Sequence, residues 1–255
     1  MSDETDKKSP LEAYFIESGM PEAAARILYV ALGLFATKGY TATSVREIVQ
    51  EANVTNPMLY YYFDNKEGVF HKLIDLLFNG LQGSIEHILL DDDLTLRQKL
   101  RSVIDLHLDG VGEAHEALFF VYSVLFGPRE SRPPIDVRDL RSKNFEQLIE
   151  VFGKAIEAGE FVPNHCGEPP YLAMQFFGLI NQHMMFALKA LEAANSEDDG
   201  LDRVLGIAPQ PEAIIAFMSG EQARARLLDF FLGGAGALRD DARESKETGV
   251  RDEMA

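Results

Sequence analysis

Apolar residues recur along this chain at three- and four-residue intervals, the spacing of one helix face, and no stretch shows a convincing strand-like alternation. The first such stretch starts at Pro21, with Ala24, Ile27, Leu28, Ala31, Leu34 and Phe35 on one side and Gly39 as its stop. A second, short face holds Ile48, Val49 and Ala52, opened by Ser44 and Glu47, the reciprocal side-chain pair that starts a helix. Asn53-Val54 interrupts it, and Asn tolerates the left-handed backbone of a tight corner. Thr55 can cap a third helix of about two turns, with Pro57 in its first turn and Leu59 and Phe63 four apart on one face. Asp64 or Asn65 caps a fourth, where Val69, Phe70, Leu73, Ile74 and Leu77 recur and the pattern runs on towards Leu90.

The rest of the chain reads the same way. Asp91-Asp92-Asp93 precedes a helix with Leu96, Leu100, Val103, Ile104, Leu108 and Val111 on one face, and His107 lies on that face. The next helix, about 113–127, places His115, Phe119, Tyr122 and Phe126 along one side and ends at Gly127-Pro128. After a loop at 129–134, a long helix runs to about Ala158 with Leu140, Phe145, Leu148, Phe152 and Ile156 inward. A Pro/Gly-rich connection at 160–169 leads to a helix at about 170–194 that has no charge between Pro169 and Leu188. Gln175, Asn181, Gln182 and His183 argue against a membrane span there. Its narrow polar stripe instead predicts partners on more than one side, a second subunit among them. Residues 195–211 read as an acidic loop, Ser219 to Gln222 as the cap of a last helix ending at Gly233-Gly234, and the charged tail from Arg239 as disordered.

The two short helices at 44–63 hold the distinctive chemistry. With Leu59 and Phe63 turned inward, the other face of the second presents Asn56 and tyrosine hydroxyls. A short helix set at an angle by a corner suits the DNA major groove, amides matching base edges and hydroxyls matching phosphate oxygens. Spacing alone fits equally a satellite helical hairpin with a partly exposed aromatic cluster.

The residues also carry a resemblance. Thr-Ser-Val-Arg-Glu-Ile (43–48), Ala-Asn-Val-Thr-Asn-Pro-Met-Leu-Tyr-Tyr-Tyr-Phe (52–63) and Asn-Lys-Glu (65–67), preceded by Ala-Leu-Gly-Leu-Phe-Ala-Thr-Lys-Gly-Tyr (31–40), closely resemble the N-terminal domain of TetR-like (tetracycline-repressor-like) transcriptional regulators. The likeness covers roughly residues 21–80, with Asn53 in place of the usual corner Gly and Gly68 shifting the usual hydrophobic residue after Lys-Glu. It implies an all-α fold, with an N-terminal three-helix helix-turn-helix domain and a C-terminal helical domain for ligand binding and dimerisation. The expected division is a flexible segment at 1–20, a DNA-binding domain at 21–80 with its motif at about 44–63, an effector-binding and dimerisation domain at 81–235, and a disordered tail at 236–255.

By that resemblance Arg46, Asn56, Pro57 and Tyr60 occupy positions that face bases, and Thr43, Ser44, Met58, Tyr61, Tyr62 and Lys66 positions near phosphates or the groove wall, with Thr55 at the head of the same ridge. The chemistry agrees for Asn56 with adenine and Arg46 with guanine. Lys66 reads alternatively as a solvated surface lysine, and Tyr62 as half-buried packing. The resemblance further implies a small-molecule pocket in the C-terminal body and a homodimer formed through helices at about 170–194 and 220–234. For the pocket, His107, His115, Phe119, Tyr122, Phe126, Phe177, Asn181 and Met184 are candidates, because polar groups on apolar faces need partners once buried. The expected partners are thus double-stranded DNA with a palindromic operator, a largely apolar effector, and a second copy of the chain.

Charge and composition adjust this picture. The net charge is −17 over 255 residues. Between residues 20 and 72, however, the basic residues Arg26, Lys38, Arg46, Lys66 and Lys72 balance Glu22, Glu47, Glu51, Asp64 and Glu67, so the acidic excess lies elsewhere. A neutral head on an acidic body favours docking head-first and predicts strong salt sensitivity. The lone Cys166 excludes an internal disulfide, and the first residues lack an apolar signal core, which together point to the cytoplasm. An enzyme is disfavoured: the six His are scattered, His165-Cys166 lacks a third ligand at plausible spacing, and no phosphate loop, cofactor motif or metal motif is present. The remaining alternative is a helical interaction or ligand-sequestering module without DNA affinity.

Overall fold

The computed structural model describes residues 9–127, 133, 135, 137–164, 167–194 and 210–238; side chains at 112, 113, 137–142 and 235–238 are not described. Among the described residues there are eleven α-helices and one two-stranded ribbon: α1 (Pro10–Glu17), α2 (Glu22–Lys38), α3 (Val45–Glu51), α4 (Asn56–Phe63), α5 (Lys66–Leu90), α6 (Leu96–Glu113), α7 (His115–Phe126), α8 (Val137–Glu157), β1 (Phe161–Pro163), α9 (Pro169–Ala194), α10 (Pro211–Ser219), α11 (Glu221–Ala235) and β2 (Gly236–Leu238). The chain is all-α in class, and no described helix is long and apolar enough to cross a membrane. The expectations for the extreme tail, for the loop at 195–209 and for His165-Cys166 lie outside the described residues.

The chain divides into two compact units, one of residues 1–83 with 110–140, the other of residues 84–109 with 141–255. In the first, helix α2 buries Ala24, Ile27, Leu28, Ala31, Leu34 and Phe35, the face its periodicity predicts, and with them Ala25 and Leu32, which the pattern left off that face. Phe35, Tyr40, Phe70 and Phe120 interlock around it, with Phe70 and Phe120 edge to face at 5.2 Å and Phe35 stacked on Phe120 at 6.1 Å. Such aromatic pairs each add about 0.5–1.5 kcal/mol beyond their burial. Where a flexible segment was expected, residues 10–17 form α1: Ser9 accepts from the Glu12 amide, Pro10 opens the helix, and Phe15 is fully buried. The Tyr14 hydroxyl also donates to the Leu76 carbonyl at 2.9 Å. The polar look of the segment hid this, because two aromatic residues anchor it.

In the second unit, Leu100, Val103, Ile104 and Leu108 of α6 are fully buried, as are Leu148 and Phe152 of α8 and Phe176, Ile180 and Met184 of α9. Phe231 of α11 packs edge to face on Phe176 at 5.1 Å and lies 5.9 Å from Phe152. Thr95 and Gln98 cap α6 reciprocally, and Lys99 donates to the Leu89 carbonyl at the end of α5, 2.8 Å away. A run of ions ties α6 to α11: Arg101 bonds Asp105 at 2.7 Å and grips Glu221 with both terminal nitrogens, and Arg224 reaches Asp105 at 3.2 Å and Asp109 at 2.7 Å.

Three details of this unit depart from the sequence reading. Pro211–Ser219 is the separate helix α10, and the Ser219 hydroxyl donates back to the Ile215 carbonyl within it instead of capping the last helix. Helix α11 continues through Gly233 and Gly234 to Ala235. Directly after it, β2 pairs antiparallel with β1, Phe161 opposite Leu238, a ribbon too short to leave an alternation in the sequence.

Candidate functional site

Local sequence builds the α3–α4 pair. Ser44 accepts from the Glu47 amide at 3.2 Å, and Glu47 in turn accepts from the Ser44 amide at 2.8 Å, a complete capping box. These bonds, with Lys38 at 3.1 Å, hold the Glu47 carboxyl down at a pKa of about 2. At the corner the Val54 amide closes onto the Val49 carbonyl at 3.0 Å, and Asn53 takes φ 50°, the left-handed backbone expected of it. Thr55 sits at the N-cap of α4 in extended conformation, but its side chain makes no capping bond. Past α4, Asp64 takes φ 60°, and Asn65 caps α5 by accepting from the Gly68 amide at 2.9 Å.

Helix α4 has two distinct faces. Leu59 is fully buried and Phe63 nearly so, which anchors the helix. Asn56, Pro57, Tyr60 and Tyr61 stand outward, Tyr60 50% and Tyr61 82% exposed, while Met58 and Tyr62 are half-buried beside them. Tyr61 and Tyr62 meet edge to face at 5.0 Å, so the half-buried ring stiffens the exposed one. Thr55, Ser44 and Arg46 are exposed as well. The result is an outward ridge of one amide and several phenols on a rigid base, chemistry that can donate to and accept from base edges and donate to phosphates.

Two of the expected contact residues are turned inward. Thr43 is 2% exposed, its hydroxyl 2.9 Å from the Gly39 carbonyl and 3.3 Å from the Leu34 carbonyl. Lys66 donates to the Tyr40 and Thr43 carbonyls, each at 2.7 Å, and lies 4.1 Å from the centre of the Tyr40 ring. Burial lowers its pKa, opposed by the Glu47 charge. Sequence spacing gave no hint of this, because both acceptors are backbone groups 23 and 26 residues away.

The effector candidates fall into both units. In the second, His107 is buried, its Nδ1 2.7 Å from the Val103 carbonyl and its ring 6.5 Å from Phe177. A carbonyl only accepts, so Nδ1 carries the proton and Nε2 is left as an acceptor. Desolvation lowers the pKa of His107 and keeps it neutral, against the Val103 bond. Phe177 and Asn181 are half-buried, and Met184 is fully buried core. In the first unit Tyr122 is buried with its ring 5.6 Å from Phe126, Phe119 is half-buried, Phe126 is largely exposed, and His115 is exposed at the start of α7. The sequence reading missed Asn144 and Gln147 of α8, whose buried amide oxygens have no hydrogen-bond partner among the described residues. Asn144 lies four residues from both Leu140 and Leu148, on the apolar face itself, where a polar residue in the periodic pattern is easily passed over.

The second unit also exposes an apolar face. Tyr171, Met174, Met185 and Phe186 of α9, Phe217 of α10 and Phe230 of α11 are 38–74% exposed, Phe230 most of all. This accounts for the uncharged run seen in the sequence: part of the circumference of α9 is core, and part faces out.

Known proteins resemble both the sequence of this region and the fold of the chain. Residues 27–73 match the sequence profile of the bacterial regulatory proteins, tetR family. The probable HTH-type transcriptional regulator YttP of Bacillus subtilis (strain 168) is 32% identical over 161 residues, 61% of this chain and 73% of YttP. The HTH-type transcriptional repressor KstR2 of Rhodococcus jostii (strain RHA1) is 28% identical over 101 residues, 40% of this chain, which thus spans about half (49%) of that repressor's length. Among solved structures, the transcriptional regulator FadR of Bacillus subtilis, in complex with stearoyl-CoA, superposes with a TM-score of 0.53 at 18% identity over 82% of this chain and 97% of FadR.

Proposed function

We propose that this chain, which belongs to the tetR family of bacterial regulatory proteins, is a cytoplasmic repressor that binds a palindromic operator as a homodimer and is released by a small, largely apolar effector. The observation that carries the reading is the outward ridge of α4, on which Asn56, Pro57, Tyr60 and Tyr61 are exposed while Leu59 and Phe63 hold the helix from beneath. Asn56 and Tyr60, with Arg46 and Pro57, meet base edges; Ser44, Thr55, Met58, Tyr61 and Tyr62 line the groove wall and phosphates. Residues 21–80 serve as the DNA-binding head and residues 81–235 as the effector and dimerisation body.

The homodimer forms through the exposed apolar face of α9 and α11, since one short helix reads few base pairs and two-fold pairing doubles the contacts. The effector enters the second unit beside His107 and Phe177, where the imidazole acceptor favours a ligand with a hydrogen-bond donor on an apolar frame; the unpartnered amide oxygens of Asn144 and Gln147 are further acceptors in the same unit. FadR, seen with stearoyl-CoA, is a relative in fold that takes a ligand with a long apolar part, which supports an apolar effector here. The test is selection of duplexes from a random-sequence library by the full-length protein, followed by electrophoretic shifts. A palindromic consensus whose complex weakens with salt and with Asn56→Ala or Tyr60→Ala is the expected result; no enrichment at low salt overturns the reading.

A further inference from the structure

We propose that Lys66 serves DNA recognition as a positioning residue: its ammonium clamps the α2–α3 connection to the start of α5, fixing the attitude of α4, and does not itself bind phosphate. The inference rests on the reading of α4 as the DNA-contacting helix. Lys66 is the first residue of α5, two beyond Asp64, the left-handed residue that ends α4. Its nitrogen lies 2.7 Å from each of the Tyr40 and Thr43 carbonyls and 4.1 Å from the Tyr40 ring centre. An ammonium has three donors, of which two are taken by the carbonyls, and the ring face receives the remaining charge. That ring is no loose flap, since it packs at 5.4 Å on Phe35 and 5.1 Å on Phe70.

The geometry closes a loop around the reading helix. At eight residues α4 is too short to hold an orientation by itself. Its first end is fixed to α3 by the Asn53 corner, and its last end passes through Asp64 into α5. Lys66 joins α5 to the segment that launches α3, which Thr43 ties to Gly39 and Leu34, and which Glu47 and Lys38 secure from the other side. A donor committed to neutral carbonyls in a half-buried place is poorly available to a phosphate, and its removal leaves those carbonyls to water and the connection free to move.

The experiment uses the full-length protein and, as probe, a duplex recovered from a random library by the wild type. Affinity is measured against salt for Lys66→Met and Lys66→Arg, beside amide exchange of the DNA-free proteins. Lys66→Met is expected to bind about tenfold more weakly with an unchanged salt slope, and Lys66→Arg not to restore affinity, because a planar fork cannot converge on two carbonyls and a ring as one nitrogen does. Both variants should keep their helical circular dichroism and exchange faster at residues 40–47. A slope smaller by about 0.9 in Lys66→Met and recovered in Lys66→Arg would mark a phosphate contact and overturn the proposal. So would unchanged exchange in the connection. Should Lys66→Met lose its helical signal, Lys66→Arg alone decides on the same two readouts. Failure of the wild type to recover any duplex sinks the DNA reading, whereas a binding wild type with an undiminished Lys66→Met sinks the clamp alone.

Discussion

At the scale of single residues, the roles that sequence made legible are those settled within one turn of chain. Ser44 and Glu47 are three apart, so their mutual bonds follow from spacing. Lys66 and Thr43 were assigned outward by resemblance, yet their hydrogen bonds run to carbonyls that no side-chain pattern encodes. The Glu47 carboxyl, held at about 2 against an ordinary 4.5, adds stability that is complete above the ordinary value and is lost as pH falls towards 2. Protection of the Ser44 amide, as its exchange rate relative to the intrinsic rate at each pH, should therefore fall across that window, and in Glu47→Gln that loss should be absent. His107 shows the opposite chemistry: burial lowers its pKa, so the unfolded chain takes up a proton first and stability declines as pH drops below 6.5. Replacing it by Gln should flatten that part of a melting-temperature profile. For Asn56→Ala, the expected loss is about 1–3 kcal/mol of operator affinity together with relaxed discrimination at one base pair, checked by titrating single-substitution duplexes.

Element by element, long amphipathic helices were plain from periodicity, and short pieces were not. Helix α10 is hard to see in the sequence because the acidic, Gly/Pro-containing stretch before it reads as loop and Ser219 reads as a start signal; its hydroxyl in fact bonds backwards. The β1–β2 ribbon has three residues a side and includes Gly236, too little for any pattern. Gly68, an oddity in the sequence, has a structural cause: a Cβ there would run into the Phe63 carbonyl across the α4–α5 junction. Gly68→Ala should accordingly cost about 1–3 kcal/mol by denaturant unfolding. Gly153 of α8 has open space where its Cβ would stand, so Gly153→Ala should instead gain about 0.5–1 kcal/mol. The contrast isolates crowding from helix propensity.

Across the whole molecule, the uncharged helix pointed to a covering partner, and the exposed Met174, Phe186, Phe217 and Phe230 mark where such a partner would sit. Phe230 is 74% exposed in the single chain, so Phe230→Glu should leave melting of the isolated protomer nearly unchanged while shifting sedimentation from two-chain to one-chain species. What sequence could not reveal is the extent of the first compact unit, which takes in α7 through Phe120 as well as the residues before α2. Helix α1 has a practical corollary. Anyone trimming the protein to begin near Pro21, where the regular heptad-like texture takes hold, would excise Phe15 and leave a void beside α2. A nested series of shortened proteins should then show a cliff between a start at Ser9 and starts beyond Ser18, the latter losing about 3–5 kcal/mol in urea. One phenyl ring decides how short the protein can be made from that side.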